Sequence, residues 1–158
     1  METPSVLFIC TANLCRSPMA EAIFKKIVMD DSGNQDKWLI GSAGTWAKPG
    51  LPASDYAQKV MLARGLSMDS HRSRVVDKNI LADYALVLTM EPGHKEALQT
   101  EFPDMAEKIY LLSEMAGVSV PVVDPIGAAY REYELAADNI FQWLEKGKPK
   151  IYQLARQG

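Results

Sequence analysis

Four short apolar runs punctuate the chain: Val6-Leu7-Phe8-Ile9, Trp38-Leu39-Ile40, Tyr84-Ala85-Leu86-Val87-Leu88 and Ile109-Tyr110-Leu111-Leu112. Each is dominantly apolar and does not alternate, which suits a strand buried on both faces. Between them lie stretches at helical spacing. The first carries Met19, Ala20, Ala22, Ile23 and Ile27, and others fall at about Ser54 to Arg64, Asp77 to Leu81 and Pro92 to Glu101. A longer closing helix is predicted from about Ala128 to Glu145, with Leu135, Ile140, Phe141 and Leu144 on its apolar side. Strands that alternate with helices pair in parallel, because parallel neighbours need crossover connections, and these take one hand. The expected class is α/β, a doubly wound sandwich with both faces of the sheet covered.

A chain of 158 residues is about the size of one ordinary domain. With no internal repeat, low-complexity tract or interdomain linker, residues 1–158 are expected to form a single one. Gly44 to Pro52 reads as a loop inside it. Hydrophobic residues at 47% and charged residues at 23% exclude a disordered or coiled-coil class. The net charge of −3 gives no broad basic footprint, so nucleic acid is not an expected partner and any affinity for anions is local. The start, Met1-Glu2-Thr3-Pro4, lacks the basic region of a signal peptide, and no stretch approaches membrane-spanning length. A cytoplasmic location away from membranes is therefore expected. Two cysteines, Cys10 and Cys15, are too few for a disulfide scaffold and lack the spaced partners of a zinc site. They read as a reactive thiol or a buried structural one, with no metal and no cofactor expected.

In open parallel sheets, ligands bind beyond the carboxyl ends of the strands, which directs attention to the segment after Ile9. That segment is Cys10-Thr11-Ala12-Asn13-Leu14-Cys15-Arg16-Ser17-Pro18. Pro18 suits the first turn of a helix and Ser17 suits its cap, so the loop is expected to end on a row of free backbone N–H groups. Such a row, reinforced by the helix dipole, binds a dianion. Arg16 adds a planar fork matched to two phosphate oxygens. Cys10 then lies beneath the phosphorus, where a helix N-terminus and a nearby cation favour the thiolate, the nucleophilic form. Ser17 is placed to donate a hydrogen bond to the sulfur when it leaves. Cys15 is either a small buried loop residue or a thiol that traps oxidised Cys10 as a disulfide.

The run Cys10 to Glu21 resembles the phosphate loop of the low-molecular-weight protein tyrosine phosphatases. Gly41-Ser42-Ala43-Gly44-Thr45-Trp46, His71-Arg72-Ser73-Arg74 and Asp124-Pro125-Ile126-Gly127 follow in that family's order, so the likeness spans the chain. It implies a flavodoxin-like three-layer sandwich with four parallel strands in the order 2-1-3-4, and metal-independent hydrolysis of phosphotyrosine through a cysteinyl-phosphate intermediate. By the same resemblance Cys10 is the nucleophile, Arg16 the phosphate clamp and Asp124 the general acid, with Thr11, Ala12, Asn13, Leu14, Cys15 and Ser17 completing the phosphate loop. Asn13, Ser42 and His71 match positions that support the loop, and Leu14, Trp46 and Ile126 match positions that wall the slot. Relatives acting on phosphoarginine carry threonine at the Leu14 position, so leucine favours phosphotyrosine.

Ala12 stands where relatives usually have glycine, and Ile126 where they usually have an aromatic residue. His94 matches no motif and is expected to be solvated. Arg72 and Arg74 are expected as structural or surface charges. Tyr133 fits an aromatic position of the last helix and Tyr130 is additional; each is a packing residue or a phosphorylation site. The implied partner is a phosphotyrosine protein, and bacterial relatives often oppose a tyrosine kinase.

Three other readings compete. The same scaffold can serve another phosphoamino acid or a small monoester. Arsenate reduction needs relay cysteines, and none follows Cys15. A phosphocarrier or phosphopeptide-binding module also places a cysteine after a first strand, but it does not call for Arg16 and Asp124.

Overall fold

The computed structural model describes residues 3–33 and 37–156; Met1 and Glu2, part of the start read above, lie outside the described residues, as do 34–36, 157 and 158. Four parallel strands, β1 (Ser5–Cys10), β2 (Leu39–Gly44), β3 (Leu86–Thr89) and β4 (Ile109–Leu111), form one sheet in the order β2-β1-β3-β4. The helices are α1 (Arg16–Ser32), α2 (Asp55–Ala63), α3 (Lys78–Ala82), α4 (Pro92–Glu101) and α5 (Tyr130–Leu154), with 3₁₀ turns at Pro103–Lys108 and Leu112–Ala116. This is the flavodoxin-like α/β sandwich expected from the sequence. Among the described residues, no helix is long and apolar enough to cross a membrane.

Alternation along β1 divides the core. Val6, Phe8 and Cys10 face one layer with Phe24, Ile140 and Leu144, while Leu7 and Ile9 face the other with Leu81, Val87 and Leu98. Both faces are fully covered, which is why β1 lacks a polar alternate. At the open end of the first layer, Phe24, Trp38 and Tyr152 pack edge to face or tilted, and Phe24 also meets Phe8.

Of the elements whose bounds differ from those predicted, three differ for reasons visible in the packing. Strand β2 runs on through Gly41-Ser42-Ala43-Gly44, residues of poor strand propensity, because each pairs with the buried β1 in unbroken register from Ser5↔Leu39 to Cys10↔Gly44. A Cβ on Gly41 would collide with the Tyr84 hydroxyl, and one on Gly44 with the Thr11 carbonyl, so close approach selects glycine at both. Helix α1 begins at Arg16, one residue before the predicted cap; Cys15 occupies the cap position and makes no side-chain capping bond. Ser17 lies inside the helix because its hydroxyl is engaged elsewhere, as described below.

Helix α5 extends well past Glu145, through Gly147 and Pro149, to Leu154. Proline removes one helical hydrogen bond. Burial of Ile151, the packing of Tyr152 on Phe24 and the bond from Ser5 N–H to the Ala155 carbonyl (3.1 Å) hold the last turns in place. At Gly147 the helix touches the 3₁₀ turn, and a Cβ there would sit 2.6 Å from Met115 Cβ and 3.0 Å from its carbonyl carbon. Gly147→Val is expected to lower unfolding free energy by about 2 kcal/mol or more, the usual cost of overpacking, measured by urea denaturation. An unchanged midpoint and slope would contradict this close contact.

Candidate active site

Strand β1 ends at Cys10, and the chain then curls through residues 11–15 into α1. The curl is possible because Asn13 adopts φ +60°, the only non-glycine residue with positive φ among the described residues. Asn13 is fully buried, and its side chain holds three elements together. Its amide nitrogen donates to Ser17 Oγ (2.8 Å) and Ser42 Oγ (3.0 Å), and its amide oxygen accepts from the Arg74 backbone N–H (3.0 Å). The Asn13 carbonyl lies 2.8 Å from His71 Nε2. Ser42 Oγ in turn donates to Glu21 Oε1 (2.7 Å), and Glu21 is paired with Lys25. Ser17 Oγ lies 3.0 Å from Cys10 Sγ, so a continuous polar chain runs from Glu21 to the cysteine. The hydroxyl that the sequence suggested as a helix cap is used in that chain.

Backbone bonds fix the outer edge of the loop. The Thr45 and Trp46 N–H groups donate to the Cys10 and Thr11 carbonyls at 3.0 and 2.9 Å, and Ser54 N–H donates to the Leu14 carbonyl at 3.0 Å. Among the described residues, no acceptor engages the N–H groups of Ala12 to Cys15. These amides, with the N-terminus of the 17-residue α1, form the donor row that an oxyanion requires. Ala12 has negative φ, so the curl accommodates its Cβ without glycine.

Arg16 is 1% exposed although charged. Its Nη1 donates to Glu91 Oε2 (2.5 Å) and to the Val122 carbonyl (2.9 Å), and its Nη2 lies 3.4 Å from Asp124 Oδ2. Asp124 stands at the mouth, its Oδ1 accepting the Ile126 N–H (3.1 Å) in a turn that directs the carboxylate over the site. Cys10, Ala12, Leu14, Cys15, Arg16, Asp124 and Ile126 together line one narrow pit. Ile126 is half exposed at its rim, and Trp46 is 86% exposed nearby in sequence to the loop's outer bonds, a surface residue and not core.

Cys15 is buried with its Sγ 3.3 Å from Ser54 Oγ, and burial pushes its thiol pKa up, with a smaller upward contribution from Cys10. Both cysteines are free thiols. Tyr133 is buried beside Cys15, and burial raises its pKa too; Tyr56 packs edge-on against both Tyr130 and Tyr133. Arg74 is structural: its Nε donates to the Ser42 carbonyl and its Nη2 to the Tyr84 hydroxyl. Arg72 is exposed and donates to the Asp69 and His71 carbonyls.

Three participants were given no role in the sequence reading. Glu91, after β3, anchors the buried guanidinium. Glu21 ends the polar chain. His94, expected in solvent, is only 8% exposed and reaches the loop, its Nε2 lying 2.8 Å from Thr11 Oγ1. The first turn of α4 carries it there because β3 lies beside β1, which places their carboxyl ends together. The signal was the Glu91-Pro92 helix start directly after the third apolar run, at the sheet end where ligands bind.

Residues 5–155 match the family model for low molecular weight phosphotyrosine protein phosphatase. A protein-arginine-phosphatase of Bacillus subtilis is 31% identical over 96% of this chain and 95% of its own. A crystal structure of a low molecular weight protein tyrosine phosphatase from T. tengcongensis superposes with a TM-score of 0.86 at 35% identity, covering 92% of this chain and 98% of that one. A YwlE arginine phosphatase carrying serine in place of a cysteine, with its active-site serine phosphorylated, superposes with a TM-score of 0.85 at 27% identity over 97% of each chain. The chain belongs to the low molecular weight phosphotyrosine protein phosphatase family.

Burial, and secondarily the Arg16 charge, hold the His94 pKa below its ordinary value near 6.5. The unfolded chain therefore takes up a proton that the folded chain refuses as pH falls through about 6.5. Stability is full above that value and declines below it. In His94→Gln this decline is expected to be shallower between pH 7 and 5, by up to about 1.4 kcal/mol per pH unit, read from urea unfolding at each pH. Parallel slopes in the two proteins would refute the assignment.

Proposed function

We propose that the protein hydrolyses phosphotyrosine in proteins through a phosphocysteine intermediate, in the reducing cytoplasm where Cys10 and Cys15 stay as thiols. The observation that carries this reading is the convergence of Cys10, Arg16 and Asp124 on one pit walled by Leu14 and Ile126. The amide row and the Arg16 fork hold the phosphoryl oxygens, with Glu91 and the Val122 carbonyl fixing the fork from behind. Cys10 Sγ attacks phosphorus as the thiolate, the P–O bond to the ring breaks, and the Asp124 carboxyl gives its proton to the departing phenolate. Asp124, now a carboxylate, takes a proton from water as that water attacks the phosphocysteine. Ser17 donates to the departing sulfur from 3.0 Å, and inorganic phosphate leaves. Anion stabilisation is supplied by amides and guanidinium, so turnover is expected to persist in chelator.

The relatives include arginine phosphatases, and the wall of the pit is what favours tyrosine here. A phosphoarginine guanidinium carries N–H donors that seek acceptors, and burying them against Leu14 and Ile126 leaves them unpaired. An aryl ring suffers no such penalty. The natural partner is then a phosphotyrosine protein, among which a tyrosine kinase is a candidate.

Cys10→Ser is expected to abolish turnover of phosphotyrosine peptides while retaining phosphate and vanadate binding by calorimetry. Asp124→Ala should slow aryl phosphate hydrolysis about 100-fold or more. A full rate for Asp124→Ala across the pH profile would remove it from the mechanism. Leu14→Thr should move the ratio of kcat/KM for phosphoarginine over phosphotyrosine peptides upward by about tenfold or more. A wild-type enzyme that prefers phosphoarginine would overturn the substrate assignment while leaving the chemistry intact.

A further inference from the structure

Behind the phosphate loop lies a second cavity, of about 270 Å³, that shares no lining residue with the pit at Cys10. Lys25 of α1 and Arg72 and Arg74, between α2 and α3, face it together with one carboxylate, Glu21. Three cations against one carboxylate leave two positive charges. Ser67 and Ser70 add hydroxyls, and the size approaches the lower end of small-ligand pockets. We propose that this cavity is a regulatory site for a small phosphomonoester dianion.

The charge count favours a dianion over a monoanion, and the guanidinium nitrogens not already bonded, Nε and Nη2 of Arg72 and Nη1 of Arg74, favour phosphate oxygens. The regulatory part follows from what the cavity touches. Ser42 and His71 line it, and both hold Asn13. Arg74 also lines it, and its side chain donates to the Ser42 carbonyl while its backbone N–H donates to Asn13 Oδ1. A dianion that draws the Arg74 guanidinium toward the cavity loosens Ser42 and Asn13, and with them the curl that binds substrate phosphate. Occupancy is therefore expected to raise KM for substrate and lower kcat together, a mixed pattern. The binding claim does not depend on the chemistry proposed for Cys10; the kinetic claim rests on it.

The test uses the full-length enzyme with Cys10 carboxymethylated by iodoacetate, which closes the pit, and glycerol 2-phosphate as probe. Backbone ¹H–¹⁵N shifts of Gly41, Arg72 and Arg74 should move and saturate, and Arg72→Ala should weaken the probe about tenfold while leaving basal turnover unchanged. Shifts that are absent, are confined to residues 10–17, or persist equally in Arg72→Ala would overturn the site. In aryl phosphate kinetics the probe should inhibit the wild type in a mixed manner and Arg72→Ala in a purely competitive one. Purely competitive inhibition of both overturns regulation. An unmodified enzyme with no turnover, whose carboxymethylated form still gives a saturating titration, indicts the proposed function and not the cavity.

Discussion

One buried asparagine sets the shape on which the site depends. Asn13 takes a left-handed backbone conformation that a non-glycine residue enters at a cost, and it does so inside the protein, where an unpaired amide costs about 1–3 kcal/mol per lost bond. Its three side-chain bonds reach Ser17 on α1, Ser42 on β2 and the backbone at Arg74, and His71 meets its carbonyl. No single element could hold the loop in this form. The curl exists because the strands and the segment before α3 are already in place, and its amides are oriented before any anion arrives, the condition for electrostatic stabilisation without reorganisation.

Arg16 ties the opposite side. A guanidinium at 1% exposure loses most of its hydration, and the Glu91 carboxylate and the Val122 carbonyl replace it. These partners come from the ends of two further segments, so the cation joins α1, the start of α4 and the chain leading to Asp124. Such a side chain has little rotational freedom, and its Nη2 is directed toward the mouth, where Asp124 lies 3.4 Å away. The base of the fork and the carboxylate above it are thus positioned by the same ion.

Much of this was legible from local pattern. Strand β1, the loop and α4 were readable because each is specified by neighbours in sequence: an uninterrupted apolar run, a cysteine-to-arginine spacing, a proline at a helix start. The ends of β2 and α5 were not. Propensity stops β2 before Gly41 and α5 before Gly147, yet pairing with β1 carries the one onward and the burial of Ile151 the other. His94 and Glu91 were missed for a related reason. Their relevance comes from β3 lying beside β1, a fact of strand order that no window along the chain contains.

The sequence by itself determined the α/β class, which follows from apolar periodicity, and it pointed to the loop from Cys10 to Arg16 through side-chain chemistry close together in the chain, whereas Asp124 was singled out only by the family resemblance. Only the tertiary structure decided that Asp124 and Arg16 meet, that Ser17 faces sulfur and does not cap the helix, that His94 is buried against Thr11, and that a cationic cavity lies behind the loop. Hydrophobic period is a property of neighbours and survives in one dimension. Desolvation of Arg16, the approach of Gly44 to the Thr11 carbonyl and the pooling of Lys25, Arg72 and Arg74 depend on which surfaces the packed sheet brings together.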